Sequence, residues 1–329
     1  MKTPFRSFST IYNILSLIGL TLWTSFAGEL VQGKGSGSSS ASSKDNSRKS
    51  AKSAKPQGVL DDVDIAYGSD PIQKLNVYYK PGLAKAPVVL FIHGGGWISG
   101  KKEDIMSFVD FFSGQGCIVV SPGYRLASNG KNEFPACVQD VACAVVWTKK
   151  NIAKYGGDEE KLIISGHSAG AHIAAMVAYN PEGDWLKGCP ASDQDLKVAG
   201  FIGSSGPYDF DYVNPARGEP KILLGGRGAH GKWEYAEPIN YVSKGDPPGL
   251  IITGENDGFL NVANPKTGRK TTNSDMMAEA LAAVGVDHQL VVMPGWNHGA
   301  INENLMGSSE LQATMAAFIK KTVANPRSR

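Results

Sequence analysis

From residue 59 onward the chain alternates between short apolar runs and segments whose apolar residues recur at helical spacing. Residues 74–80, KLNVYYK, alternate apolar and polar positions, the period of a strand with one buried face. Residues 87–94, 117–124, 161–166, 197–206, 248–257 and 288–295 are near-continuous apolar runs, each closing on or near glycine or proline. Runs without alternation imply strands covered on both faces. Between them, residues 104–116, 135–157, 169–180, 273–285 and 308–324 have helical spacing. The longest opens on Pro135, carries lysines near its end and stops at glycine. This order predicts an α/β fold with a mostly parallel central sheet and helices on both faces. No internal repeat interrupts it. In such sheets a ligand sits beyond the carboxyl ends of the strands. A catalytic residue is therefore expected just after a strand, not before one.

The first 58 residues do not share this pattern. Lys2 and Arg6 precede an uncharged apolar run, IYNILSLIGLTLWTSFA, which closes on small residues before Gly28. Residues 1–27 are expected to be a signal peptide that exports the protein to a periplasmic or extracellular space. The alternative is an uncleaved N-terminal membrane anchor. After cleavage no stable membrane insertion is expected. Residues 28–58 are rich in Gly, Ser and Lys and poor in large apolar side chains, the composition of a disordered linker. A single catalytic domain is expected over 59–329.

The net charge of +2 is unevenly spread: residues 1–58 carry +6, leaving the remainder at −4. A mildly acidic domain lacks the basic footprint of a nucleic-acid binder. The four cysteines, at 117, 137, 143 and 189, form no C-x-x-C and no metal-ligand spacing. No metal and no cofactor are expected. Four cysteines in an exported chain allow three full pairings, and at most one disulfide is expected. Cys117 reads as a buried thiol, while Cys137 and Cys143 point apart on a helix. Nothing in the pattern specifies an oligomeric state.

Candidate chemistry sits at the strand ends. GHSAG, residues 166–170, lies between an apolar run and a helix of small residues, the setting of a nucleophile elbow with Ser168 at its apex. Gly166 and Gly170 leave room in that turn where a Cβ would clash. An oxyanion hole is expected from the N–H of Ala169 and from the loop HGGGW, residues 93–97, with Gly94 and Gly95 the first choices and Gly96 a third.

The motifs FIHGGGWISGKK, YRLA, KYGGDEEKLIISGHSAGAH, EPINYV, PPGLIITGENDGF and MPGWNHG resemble the α/β-hydrolase carboxylesterases of the hormone-sensitive-lipase, feruloyl-esterase and arylformamidase-like branches. The likeness runs in order from about residue 60 to the C-terminus. Two departures stand out: Gly123 before Tyr124, and Glu237 at a position that is often serine. The resemblance implies a serine hydrolase of carboxylic esters working through a Ser-His-Asp triad and an acyl-enzyme.

Six histidines compete as the base. His93 belongs to the glycine loop, which it is expected to anchor. His167 and His172 flank Ser168 but should project away from it and pack. His230 is in a loop without strand support, and His288 opens a strand at the wrong edge. His298 follows 288–295 at the right edge and also matches the histidine of the resembling family. Both Glu255 and Asp257 follow the strand segment GLIIT, residues 249–253; the resemblance favours Asp257, and it implies a structural role for Asp209. Trp97, Tyr208, Phe210, Trp233 and Phe259 are candidates to line an acyl or aryl pocket, foremost Trp97, Tyr208 and Phe259. The expected substrate is a small-molecule or polysaccharide-linked ester with a short acyl or aryl group. Arylformamide hydrolysis and a non-catalytic binding protein on the same scaffold are the alternatives.

Overall fold

The computed structural model describes residues 55–190, 196–214, 216–226, 230–260 and 271–324, without the side chains of residues 230–232. The expected leader, almost all of the linker and the side chain of His230 lie outside the described residues.

Eight strands form one sheet: β1 Leu60–Ala66, β2 Lys74–Tyr79, β3 Ala86–Ile92, β4 Ile118–Pro122, β5 Gly157–His167, β6 Gly200–Ser204, β7 Gly249–Gly254 and β8 His288–Met293. Their order across the sheet is β1-β2-β4-β3-β5-β6-β7-β8. β1 and β2 are antiparallel to each other, β2 is antiparallel to β4, and every pairing from β4 to β8 is parallel. This is the mostly parallel α/β sheet expected from the run of apolar segments, and it agrees with the α/β-hydrolase fold that the resemblance implies.

The physical basis is plain in β3. Val88, Leu90 and Ile92 enter one core while Val89 and Phe91 enter the other. The period of two is intact, but both faces are apolar, so alternation is invisible in the sequence. Helices α2 Ala136–Asn151, α3 Ala169–Tyr179 and α6 Asn273–Ala283 bury residues in the first core, and the short helices α4 Glu219–Leu223 and α5 His230–Ala236 fall between β6 and β7 in the chain. Helices α1 Met106–Gly114 and α8 Ser309–Ala324 cover the second.

Three boundaries differ from the pattern-based expectation. β1 was not foreseen, because its sequence LDDVDIA is acidic and mostly exposed at the sheet edge. Acidic side chains suit an edge that must not recruit further strands. The helix expected over 135–157 stops at Asn151 and passes through a 3-10 turn to Gly156, whose φ of 83° breaks it. β5 then begins at Gly157, four polar positions earlier than the apolar run suggests. β8 is half-exposed along most of its length because it closes the other edge.

Behind the expected YRLA segment, Arg125 clamps the fully buried Asp140 carboxylate through Nε and Nη2, and Gln73 donates to the same group at 2.6 Å. A buried charge held this way keeps the loop after β4 on α2. Among the described residues no helix is long and apolar enough to cross a membrane. Among them, too, no group of three or more His, Cys, Asp or Glu could hold a metal ion.

Candidate active site

β5 ends at His167, α3 begins at Ala169, and Ser168 is the turn between them. Its φ of 56° and ψ of −124° are strained for a residue bearing a Cβ. The strain is held by close packing. A Cβ on Gly166 would lie 2.4 Å from the carbonyl carbon of Gly170, and one on Gly170 would lie 2.1 Å from the backbone oxygen of Ile92. The N–H of Ser168 donates to the carbonyl of Ser204 on β6 at 2.9 Å, tying the elbow to the neighbouring strand.

Three side chains from three strand ends meet here. Ser168 Oγ is 2.8 Å from His298 Nε2. His298 Nδ1 is 2.9 Å from Asp257 Oδ2 and 3.1 Å from Oδ1. Asp257 is fully buried, and its Oδ1 also accepts the N–H groups of Phe259 and Leu260. Burial works to raise the Asp257 carboxyl, but hydrogen bonds from His298, Ser205 and Phe259 outweigh it and hold the group below the ordinary carboxylate range. Glu255 is exposed and accepts the N–H of Gly295 at 2.9 Å, so it caps a turn rather than facing His298. A hydroxyl bonded to an imidazole whose far nitrogen is fixed by a carboxylate can lose its proton as it attacks an electrophile.

The other histidines whose side chains are described are occupied. His167 Nδ1 is 3.2 Å from the Asn302 amide nitrogen, so Nδ1 accepts and Nε2–H donates to the His298 carbonyl at 2.8 Å. Burial, and then the nearby His298, push His167 down to about 4, so it is neutral. It therefore acts as a clasp on the backbone of His298. Asn302, on α7 Ala300–Asn304, is a member of this cluster that sequence reasoning missed; its only signal was a spacing of four from His298. His172 accepts from Trp97 Nε1 and donates to the Ala236 carbonyl, also neutral, with burial holding it at about 4. His93 donates from Nδ1 to the carbonyl of Gly94 and stacks on Tyr124. His288 opens β8, at the opposite end of the strand from His298.

The glycine loop lies against the elbow. A Cβ on Gly94 would come within 3.3 Å of Ser168 Cβ and 3.0 Å of the His167 carbonyl. Gly95, at φ 118°, turns its carbonyl to Ile98 and Ser99. The N–H of Ala169 is the first of the unpaired donors at the start of α3. Among the described residues, nothing accepts a hydrogen bond from the N–H of Gly94 or Gly95. Donors free of internal partners, next to a hydroxyl, are what an oxyanion needs.

A cleft of about 380 Å³ opens over Ser168 and His298. Its walls include the glycine loop, Ile98, Phe259, Arg217 and Glu219. Phe259 stacks on His298 at 4.7 Å, the Arg217 guanidinium lies 4.3 Å from the centre of the Phe259 ring, and Arg217 pairs with Glu219 at 2.7 Å. Two of the expected pocket residues are elsewhere. Trp97 is 1% exposed and packs on His172 and Phe210 beneath the loop. Tyr208 is fully buried against Phe201, under the sheet end. Their rings complete the core, where large apolar area gains most from leaving water. Phe210 is buried in the same aromatic group, and Trp233 packs on it from outside. Asp209 accepts the N–H of Asp211 and caps a short turn.

Glu237 is a turn element too. Its carboxylate accepts the N–H of Phe210 and the Asn240 amide. Burial, and then the neighbouring Asp209, push this group up to about 7 from an ordinary 4.5. The folded protein thus holds a proton there that the unfolded chain releases near pH 4.5. Stability falls as pH rises between those two values and stays lower above 7. Glu237→Gln removes this linkage. Its thermal stability relative to wild type is expected to climb between pH 5 and pH 8, by up to about 3 kcal/mol. A difference that stays flat over that range, measured by scanning fluorimetry or circular dichroism, would contradict this account.

The profile of the BD-FAE family matches residues 75–270. Esterase LipC of Mycobacterium tuberculosis is 27% identical over 247 residues, covering 71% of this chain and 59% of that protein. Esterase LipQ of the same organism is 31% identical over 62% of this chain and 50% of its own length. Carboxylesterase NlhH, again from M. tuberculosis, is 26% identical over 79% of this chain and 81% of its own length. The chain thus spans about half the length of curated relatives such as LipQ. Among solved structures, a truncated carbohydrate esterase from gut microbiota superimposes with a TM-score of 0.64 at 23% identity, covering 80% of this chain and 96% of that one. An esterase B from Lactobacillus rhamnosis gives 0.66 at 21%, covering 83% and 90%. These likenesses are at the level of the fold.

Proposed function

The chain belongs to the BD-FAE family, and from that we propose that it is a carboxylesterase using Ser168 as nucleophile, His298 as base and Asp257 as the acid that orients it. The observation that carries the proposal is the unbroken hydrogen-bonded run from Ser168 Oγ through His298 to the buried Asp257. Ser168 Oγ attacks the ester carbonyl carbon while His298 Nε2 takes its proton. The oxyanion rests on the N–H of Ala169 and those of Gly94 or Gly95. His298 then protonates the leaving alkoxide, and water repeats the cycle on the acyl-enzyme.

The substrate class follows from the walls of the cleft. Its walls combine the glycine loop, the Phe259 ring stacked on His298, and the Arg217–Glu219 pair. That combination suits a short acyl or a single aryl group with a polar leaving alcohol, including a sugar hydroxyl. The name of the carbohydrate esterase with this fold is consistent with it. Export through residues 1–27 is part of the same proposal, supported by the basic start and uncharged apolar run of that segment.

A panel of p-nitrophenyl esters from acetate to decanoate, with methyl ferulate, acetylated xylan and N-formylkynurenine, tests it. We expect kcat/KM to peak at acyl chains of two to four carbons and to drop at least about tenfold by decanoate, since a chain too long for the cleft binds only with its ester carbonyl displaced from Ser168. A peak at the long chains would refute the cleft assignment. Faster turnover of N-formylkynurenine than of every ester would replace ester hydrolysis by arylformamide hydrolysis.

A further inference from the structure

The four thiols are sorted by the sheet. Cys117 lies in the core covered by α1 and α8, on the far side of the sheet from the other three. Cys137 and Cys143 are both on α2, six residues apart, and the Cys137 side chain is fully enclosed. Cys143 and Cys189 instead meet: their thiols are hydrogen-bonded to each other. The two also line one surface hollow of about 410 Å³, with Tyr67, Val146, Trp147 and Pro190 among its walls. Cys189 is partly exposed and lines the hollow, where a small molecule can approach it. The pair joins α2 to the segment that follows α3, 46 positions along the chain.

We propose that Cys143 and Cys189 are a redox site that closes into a single disulfide in an oxidising compartment. The reaction is thiol–disulfide exchange with a small disulfide such as oxidised glutathione. The Cys189 thiolate attacks one sulfur of the donor, releases one glutathione thiol and leaves a mixed disulfide. Cys143 then attacks the Cys189 sulfur and releases the second glutathione. Two protein thiols lose two electrons and two protons; one donor disulfide is reduced to two thiols. Burial and the adjacent Cys189 raise the Cys143 thiol well above its ordinary range, so the second step is the slower one and the mixed disulfide accumulates first. The closed bridge removes loop-closure freedom from the unfolded chain.

This site stands apart from the esterase assignment and is tested without any substrate. The full-length protein is incubated with oxidised glutathione, the remaining thiols are alkylated in denaturant, and peptides are mapped by mass spectrometry. We expect four alkylatable thiols to fall to two, with the Cys189 peptide bridged to the α2 peptide. Cys137→Ser should keep the bridge, which assigns it to Cys143 within that peptide. The melting temperature should rise by about 5–15 °C on oxidation, return with dithiothreitol, and stay unchanged in Cys189→Ser and in Cys189→Ala. Four free thiols after oxidation, a lasting glutathione adduct in place of the bridge, a bridge through Cys117 or Cys137, or a bridge with no effect on melting would each overturn the proposal.

Discussion

Replacing Ser168 by alanine is expected to lower kcat toward p-nitrophenyl acetate by about 10⁴–10⁶-fold while leaving the melting curve nearly unchanged. The alanine methyl occupies the same strained turn, so the packing of Gly166 and Gly170 around it is kept. What is lost is the oxygen 2.8 Å from His298 Nε2. His298→Ala should cost a similar factor, because an unassisted serine hydroxyl is a weak nucleophile at neutral pH. The double variant should be little slower than either single one, since the two side chains act as a unit. Multiplicative losses would mean that the two act separately. Equal rates in wild type and Ser168→Ala would remove Ser168 from the chemistry. Absence of turnover in the wild type would favour a binding protein on a hydrolase scaffold.

Asp257→Asn is expected to lower kcat by about 10⁴-fold, against a change within about twofold for Glu255→Gln. The carboxylate of Asp257 can only accept, so it fixes the proton of His298 on Nδ1 and leaves Nε2 free to accept from Ser168. An asparagine amide can present N–H groups instead, which favours the opposite tautomer. Asp257 is enclosed and receives two backbone N–H groups besides His298, so the amide cannot swing away. Glu255 faces solvent and accepts the N–H of Gly295. The comparison is read from steady-state rates of the two variants in parallel, with circular dichroism as the check on folding. A larger loss for Glu255→Gln than for Asp257→Asn would reverse the assignment of the acid.

Much of this was legible in one dimension. The parallel strands from β3 to β7 announce themselves as apolar runs because both of their faces are buried. Ser168 and the glycine loop stand out because a turn tight enough to need Gly166 and Gly170 leaves its mark in the residue types allowed. β1 was missed for the converse reason: a strand that buries little has no apolar signature. Gly156 and Gly157, the first residue of β5, carry a helical pattern, because a 3-10 turn keeps the helical spacing for a few residues before it breaks.

The aromatic side chains were the least legible part. Trp97 sits beside the glycine loop in sequence, yet its indole points to His172, and Tyr208 follows a strand end yet is buried under Phe201. Residue type and position along the chain state that such a ring seeks cover, not which side of the loop supplies it. Asn302 and the thiol pair Cys143–Cys189 were silent for the same reason, since their partners lie on other elements. By itself the sequence determined the layered α/β fold and the strand ends at which reactive groups can stand, because periodicity and turn residues report the local surroundings of the backbone. Only the tertiary structure decided between Asp257 and Glu255 as the partner of His298, turned Trp97 and Tyr208 inward, and brought Cys143 and Cys189 into contact. Those are matters of which distant side chains meet, and that is settled by packing across the sheet.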